Sequence, residues 1–141
     1  MELFWASVIA VALVSLSVVL HYETLLQLER LSRVVRRHRW MILITLHGLL
    51  LAHVVEIWLF GFGYYLAEHQ LGLGSVLPAE GQDWFHYVYY SAMVYTTVGF
   101  GDLIPVGPLR MISATEALAG LSLITWSASF TFLQMQRIWR R

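Results

Sequence analysis

The stretch VYTTVGFGDLIP, Val94 to Pro105, interrupts a chain that otherwise reads as apolar helices: two glycines two apart, an acid and a proline stand between oily runs. A second Gly-Phe-Gly occurs at Gly61 to Gly63, so the tripeptide alone carries no signal. The surroundings of each copy must separate them.

Immediately before the stretch, WFHYVYYSAMVYT, Trp84 to Thr96, has helical composition, and Asp83 stands where a helix cap belongs. Gly99 and Gly101 stop it. Its length is then roughly 20 Å, too short to cross a hydrocarbon core of about 30 Å, so a segment of this kind enters the membrane and returns. Non-helical backbone at that depth is tolerated only where protein shields it or a water-filled path runs past it. Residues after Thr96 are therefore expected to face a pore.

Long apolar runs lie on both sides. Pro108 to Met135 follows, interrupted by Arg110, Glu116 and Gly120; Trp40 to Ala67 precedes, interrupted by His47, His53 and Glu56; Leu3 to Leu20 carries no charge at all. The last of these is about 27 Å of helix and just spans. Glu2 replaces the basic region of a secretory signal and no small-residue cleavage site follows Leu20, which favours a retained span. Gly72, Gly74, Pro78 and Gly81 mark 68–82 as a loop. The expected organisation is an N-terminal transmembrane helix at 1–22, a cytoplasmic basic amphipathic linker at 23–39, and a pore domain at 40–136. That domain divides into an outer helix 40–67, an extracellular loop 68–82, a pore helix 83–96, a filter 97–101 and an inner helix 108–136, with a basic tail at 137–141.

Composition agrees with a lipid-embedded, all-α chain: 141 residues, 58% hydrophobic, 13% charged and a mean hydropathy of +0.64. Net charge is zero, but all nine basic residues are arginines, eight of them in Arg30 to Arg39 and Arg137 to Arg141. With three spans these clusters share one side, and the positive-inside rule makes it cytoplasmic. The N-terminus and the loop are then outside, in a cell (plasma or inner) membrane. There is no cysteine, which excludes disulfides and thiolate metal sites. No phosphate-binding loop, no nucleophile with its base and no paired catalytic carboxylates occur, so no enzyme is expected, and nothing points to a nucleic-acid partner.

An ion leaving water needs replacement oxygens, and a neutral filter supplies them as rings of backbone carbonyls from several chains. Aiming successive carbonyls at one axis needs alternating backbone handedness, which Gly99 and Gly101 permit without a Cβ penalty. Thr97 adds a hydroxyl, while Val98 and Phe100 are expected to point away from the axis into a supporting wall. At these residues the chain resembles the potassium channel family, whose filter reads Thr-Val-Gly-Tyr-Gly-Asp with Phe a known variant at the aromatic position; here it stands as Thr97, Val98, Gly99, Phe100, Gly101, Asp102. The resemblance covers about Trp40 to Gln136. It implies a homotetramer with the filter on the shared axis, potassium ions held at Thr97, Val98, Gly99 and Phe100, and no other cofactor.

The resemblance also marks departures. Phe100 lacks a filter tyrosine's hydroxyl, Tyr89 and Tyr90 stand where the family often has tryptophans, and Met93 cannot supply the buried acid some relatives place behind the filter. Asp102, Tyr89, Tyr90, Thr96 and Glu116 are the expected filter supports. Glu116 either carries a charge that attracts cations or is protonated and hydrogen-bonded to Thr96 or Tyr95; burial favours the second. Gly120, one turn deeper, is either a hinge or a packing glycine. Helical spacing puts Ile124, Ala128 and Phe132 on its stripe as pore lining, with Phe132 the candidate constriction.

Arg30, Arg33, Arg36 and Arg39 have the spacing of a voltage-sensing helix but lie between spans, so a basic helix on the inner surface, in contact with anionic lipid, is the expectation. His53 and Glu56 share a helix face and are read as buried partners of each other or of the first span, a two-ligand metal site being weak. Gly61-Phe62-Gly63 lacks the Thr-Thr-Val lead and reads as helix packing. A weakly selective cation channel is the nearest alternative; a non-conducting regulatory membrane subunit is the alternative from another class.

Overall fold

The structure, a computed structural model, describes residues 1–34, 38–78 and 83–139. Four helices and one small sheet follow in order: α1 (Glu2–Val34), α2 (His38–His69), β1 (Ser75–Leu77), α3 (Trp84–Tyr95), β2 (Ile104–Val106) and α4 (Leu109–Trp139). The protein is an all-α membrane protein. α1, α2 and α4 are long and apolar enough to cross a bilayer, and only 22–28% of each apolar window is buried inside the chain. Helices that are apolar all round and so little covered belong in lipid or against other copies.

The elements follow from their residues. α3 ends where Thr96 and Thr97 hand over to the glycines, and it stays well under half the length of α2 and α4. Asp83 occupies the cap position with extended backbone, but its side chain makes no capping bond; the helix start is closed instead by the Asp83 carbonyl, which accepts from His86 N at 2.9 Å. The outer loop folds down as β1 on β2, antiparallel, with Ser75 opposite Val106 and Leu77 opposite Ile104. This clips the loop to the chain leaving the filter.

α1 departs from expectation. It is one helix through Val34, about 50 Å long by its rise, so residues 23–34 continue the first span and form no separate surface helix. Between Tyr22 and Val34 there is neither glycine nor proline to break the helix, and Glu29 pairs with Arg33 one turn on at 3.3 Å. Arg137 near the end of α4 reaches the same Glu29 at 3.5 Å, so the basic ends of α1 and α4 meet on one side. Arg36 and Arg37 of the expected lipid-contacting cluster lie outside the described residues.

α1 packs on α2 and α4, and α3 sits in the angle between α2 and α4. The upper core gathers Ala6 and Ala10 of α1, Phe60, Tyr64 and Ala67 of α2, Tyr87, Tyr90 and Tyr95 of α3, and Leu109 and Ile112 of α4. The second Gly-Phe-Gly is absorbed here. A Cβ on Gly61 would stand 3.1 Å from the Val88 backbone of α3, and one on Gly63 would stand 2.5 Å from Leu13 of α1. Both glycines exist for close approach within an unbroken helix.

Candidate functional site: the filter and its supports

The expected filter segment, 97–101, hangs from the C-terminal end of α3. Thr96 N donates to Ala92 O at 3.2 Å, Thr97 N to Val94 O at 2.9 Å and Gly99 N to Met93 O at 3.1 Å, so the last helical carbonyls are used up by the filter's own N–H groups. Beyond that point the backbone alternates. Thr97 has φ 59°, Gly99 51° and Gly101 82°, while Val98 and Phe100 stay outside the left-handed region. Alternation of this kind turns successive carbonyls toward the same side. A Cβ added to Gly99 or Gly101 meets nothing within 4 Å, so in this chain the glycines are required by handedness and not by space.

The left-handed backbone at Thr97 is the part sequence reasoning missed. A β-branched residue in the left-handed region costs on the order of 1–2 kcal/mol, and only the fixed helix end above it holds it there. Val98 is 53% and Phe100 72% exposed, so within a single chain neither side chain is packed against a wall. At the outer end Tyr89 Oη donates to Asp102 Oδ2 at 2.9 Å and Leu103 N donates to Oδ1 at 3.1 Å. The bond to Asp102 holds the Tyr89 hydroxyl above its usual range. Tyr90 does something else. It is buried and bonds Ser113 of α4 at 2.7 Å, bracing the helix rather than the filter. Thr96 Oγ1 turns back to Ala92 O at 2.7 Å within its own helix.

α3 and α4 descend side by side in parallel, and their register decides the partners. Ser113 meets Tyr90, Glu116 meets Ser91, and Gly120 meets Tyr95. Glu116 is fully buried. Ser91 Oγ donates to its Oε1 at 2.5 Å and Tyr64 of α2 donates to Oε2. The expected bond to Thr96 or Tyr95 is therefore corrected: the acid sits one turn higher, level with Ser91 of the short helix, and clamps α2, α3 and α4 together.

The level of Tyr95 belongs to Gly120, where a Cβ would fall 2.2 Å from Tyr95 O. α4 runs through this position without a break, and Gly120 packs there against the end of α3 rather than facing open space. Ile124 and Phe132 are 36% and 55% exposed, and Ala128 is exposed too. Exposed neighbours such as Leu121 and Ser129 on the same helix mean that exposure alone does not single out a lining stripe.

A half-length helix, an alternating backbone and a clamp behind it now stand together. A family model described as an ion channel matches residues 52–137. The chain belongs to that family, the potassium-channel type with two spans per pore domain. It is an ion channel domain in a membrane protein, and the family is not one of enzymes. The match begins inside α2 and leaves α1 outside it. No curated protein and no solved structure matches the chain.

The channel also holds a second buried cluster. Glu56 of α2 accepts from His21 Nδ1 of α1 at 2.9 Å and contacts His53 Nδ1 at 3.1 Å, and Tyr95 donates to it. His53 and Glu56 thus pair with each other and with the first span, as their shared face suggested. His21, Ser127, Ser91 and Tyr64 were not singled out in the sequence. His21 did leave a signal: an imidazole directly after an uncharged span must find a partner. His47 stays outside, bonded to Leu43 O of its own helix at 2.8 Å.

Proposed function

We propose that the chain is a potassium-selective channel that conducts passively as a homotetramer, each copy giving one filter strand at Thr97 to Gly101. Carbonyls of Thr97, Val98, Gly99 and Phe100, with the Thr97 hydroxyl, replace the ion's hydration shell. The observation that carries this reading is the left-handed backbone at Thr97, Gly99 and Gly101. A turn at the surface has no need of a strained threonine; a row of carbonyls aimed at one axis does. The exposure of Val98 and Phe100 supports assembly, since apolar side chains at half-membrane depth find their wall on neighbouring copies. Four copies close a ring of this size in the family the filter resembles. The arginine clusters support a topology with the N-terminus outside, both basic ends in the cytoplasm, and the filter toward the outer face of the plasma or inner membrane, with anionic lipid near Arg30 to Arg39.

The test is ion flux into vesicles containing only this protein, with potassium, sodium and N-methyl-D-glucamine compared. Potassium flux well above sodium is the expected result. Equal potassium and sodium flux would make it a weakly selective cation channel, and no flux from an assembled tetramer would make it a non-conducting subunit.

A further inference from the structure

The cluster around Glu56 has more close polar contacts than protons to fill them when both of its imidazoles are neutral. Six close contacts join its members: Glu56 to His21 Nδ1, to His53 Nδ1 and to Tyr95 Oη, Tyr95 Oη to His53 Nδ1 at 2.9 Å, and Ser127 Oγ to His53 Nε2 at 3.0 Å and to His21 Nε2 at 3.2 Å. A carboxylate, two neutral imidazoles, a phenol and a serine hydroxyl bring only four protons to share among them. Even if the His53 N–H is shared between Glu56 and Tyr95, one contact is left lone pair to lone pair. In the interior of a membrane protein that is an expensive arrangement, and a cation removes it.

We propose that His21, His53 and Glu56, with Tyr95 in the fourth corner, form a binding site for a divalent transition metal of the zinc class. Ligand atoms of the two histidines and the carboxylate all lie within 4.8 Å of one another, and the neighbouring donors are already 2.9–3.1 Å apart. Tetrahedral zinc with bonds of about 2.05 Å separates its donors by about 3.3 Å, so the pairs in contact at 2.9–3.1 Å need to part by only a few tenths of an ångström, while Tyr95 Oη must draw farther back from Glu56 and the donors not yet in contact, all within 4.8 Å, must close in. Two imidazoles with oxygen donors suit zinc, whereas calcium and magnesium prefer all-oxygen sites.

The far side of the rings fits the same reading. With the metal on both Nδ1 atoms, both Nε2 atoms carry hydrogen and both face Ser127 Oγ, which has two lone pairs to accept them; such an outer partner fixes ring orientation in metal sites. Proton balance is simple. The ring protons move from Nδ1 to Nε2, Tyr95 gives its proton to solvent on ligation, and the metal with carboxylate and phenolate is electrically neutral. The side chain of His53 is 14% exposed and gives an entry. The site would pin α1 to α2 and to Tyr95, the residue at the end of the pore helix next to the filter.

The full chain in detergent, stripped with chelator and dialysed against micromolar Zn2+, should retain about one zinc per chain by elemental analysis, and Co2+ in its place should give the intense visible absorption of a tetrahedral site. His21→Ala and Glu56→Gln should lose the metal, Tyr95→Phe should weaken it, and Ser127→Ala, which spares every ligand, should weaken it about 10–100-fold. His47→Ala should bind as the unaltered chain does. Should His21→Ala fail to fold, Ser127→Ala and the cobalt spectrum decide. No zinc retained by the unaltered chain would overturn the proposal and leave a proton as the missing charge. So would full retention in folded His21→Ala or undiminished affinity in Ser127→Ala. None of these readouts depends on ion conduction.

Discussion

Gly61-Phe62-Gly63 and Gly99-Phe100-Gly101 are the same three letters used in opposite ways. In α2 the glycines keep helical backbone and are surrounded, with α3 and α1 close enough to crowd an added methyl group. In the filter they take left-handed backbone and have open space within their own chain. One copy is about what lies outside the backbone; the other is about the backbone itself. Neither use is visible in the tripeptide. What separates them is the element each follows: a helix with length to spare, or one that stops halfway.

The sharpest way to break this contrast is Gly99→Ala. An alanine fits the space but not φ 51°, so potassium flux in vesicles should disappear while cross-linking still detects the tetramer. If Gly99→Ala conducts selectively and Gly61→Ala does not, the roles of the two tripeptides are reversed.

Glu116 sharpens the contrast from behind, because the clamp holds the helix from which the filter hangs. Glu116→Ala removes the acceptor that Ser91 and Tyr64 share, leaving them the Ile57 carbonyl and the Ser113 hydroxyl, and should lower stability by about 1–3 kcal/mol in all. Glu116→Gln keeps size and an acceptor and should cost clearly less. Equal loss of conductance in both, each correctly assembled, would move the acid from the scaffold to the permeation path.

Smaller effects belong to the α2 copy. Gly61→Ala presses on Val88 backbone at 3.1 Å, which cannot yield cheaply, and should cost roughly 1–3 kcal/mol in thermal or denaturant stability with selectivity intact. Gly63→Ala meets only the tip of Leu13, a side chain that can turn aside, and should cost less than Gly61→Ala in the same assay. The smallest change is expected from Tyr89→Phe, which deletes one bond to Asp102 at the outer end. Flux should persist, with faster run-down in low potassium than in the unaltered channel.

Spans, the short helix and the left-handed glycines after it were legible because they depend on length, hydropathy and glycine spacing, all local properties. The clamp was legible only in part. Glu116 stood out as an acid inside a span, but its partners depend on how α4 is rotated and shifted against α3, and a displacement of one turn exchanges Tyr95 for Ser91. Tyr89 and Tyr90 are adjacent letters that a helix points in different directions, so one holds Asp102 and the other Ser113. Thr97 gave no warning, since threonine is not a residue that advertises left-handed backbone. The reach of α1 was misjudged for a different reason: a change from apolar to charged residues marks where a membrane ends, and a helix need not end there.

That reach has a mechanical meaning. Glu29 shares its carboxylate between Arg33 on its own helix and Arg137 on α4, so α1 works as an outrigger fastened to the foot of the inner helix. Any outward swing of that foot must carry α1 along or let Arg137 go. The pair is largely exposed, 64% at Arg137 and 34% at Glu29, and such pairs hold by no more than about 1 kcal/mol and yield to salt. The fastening is therefore a soft detent: it favours one posture of the foot, releases under slight force, and slips more readily as ionic strength rises.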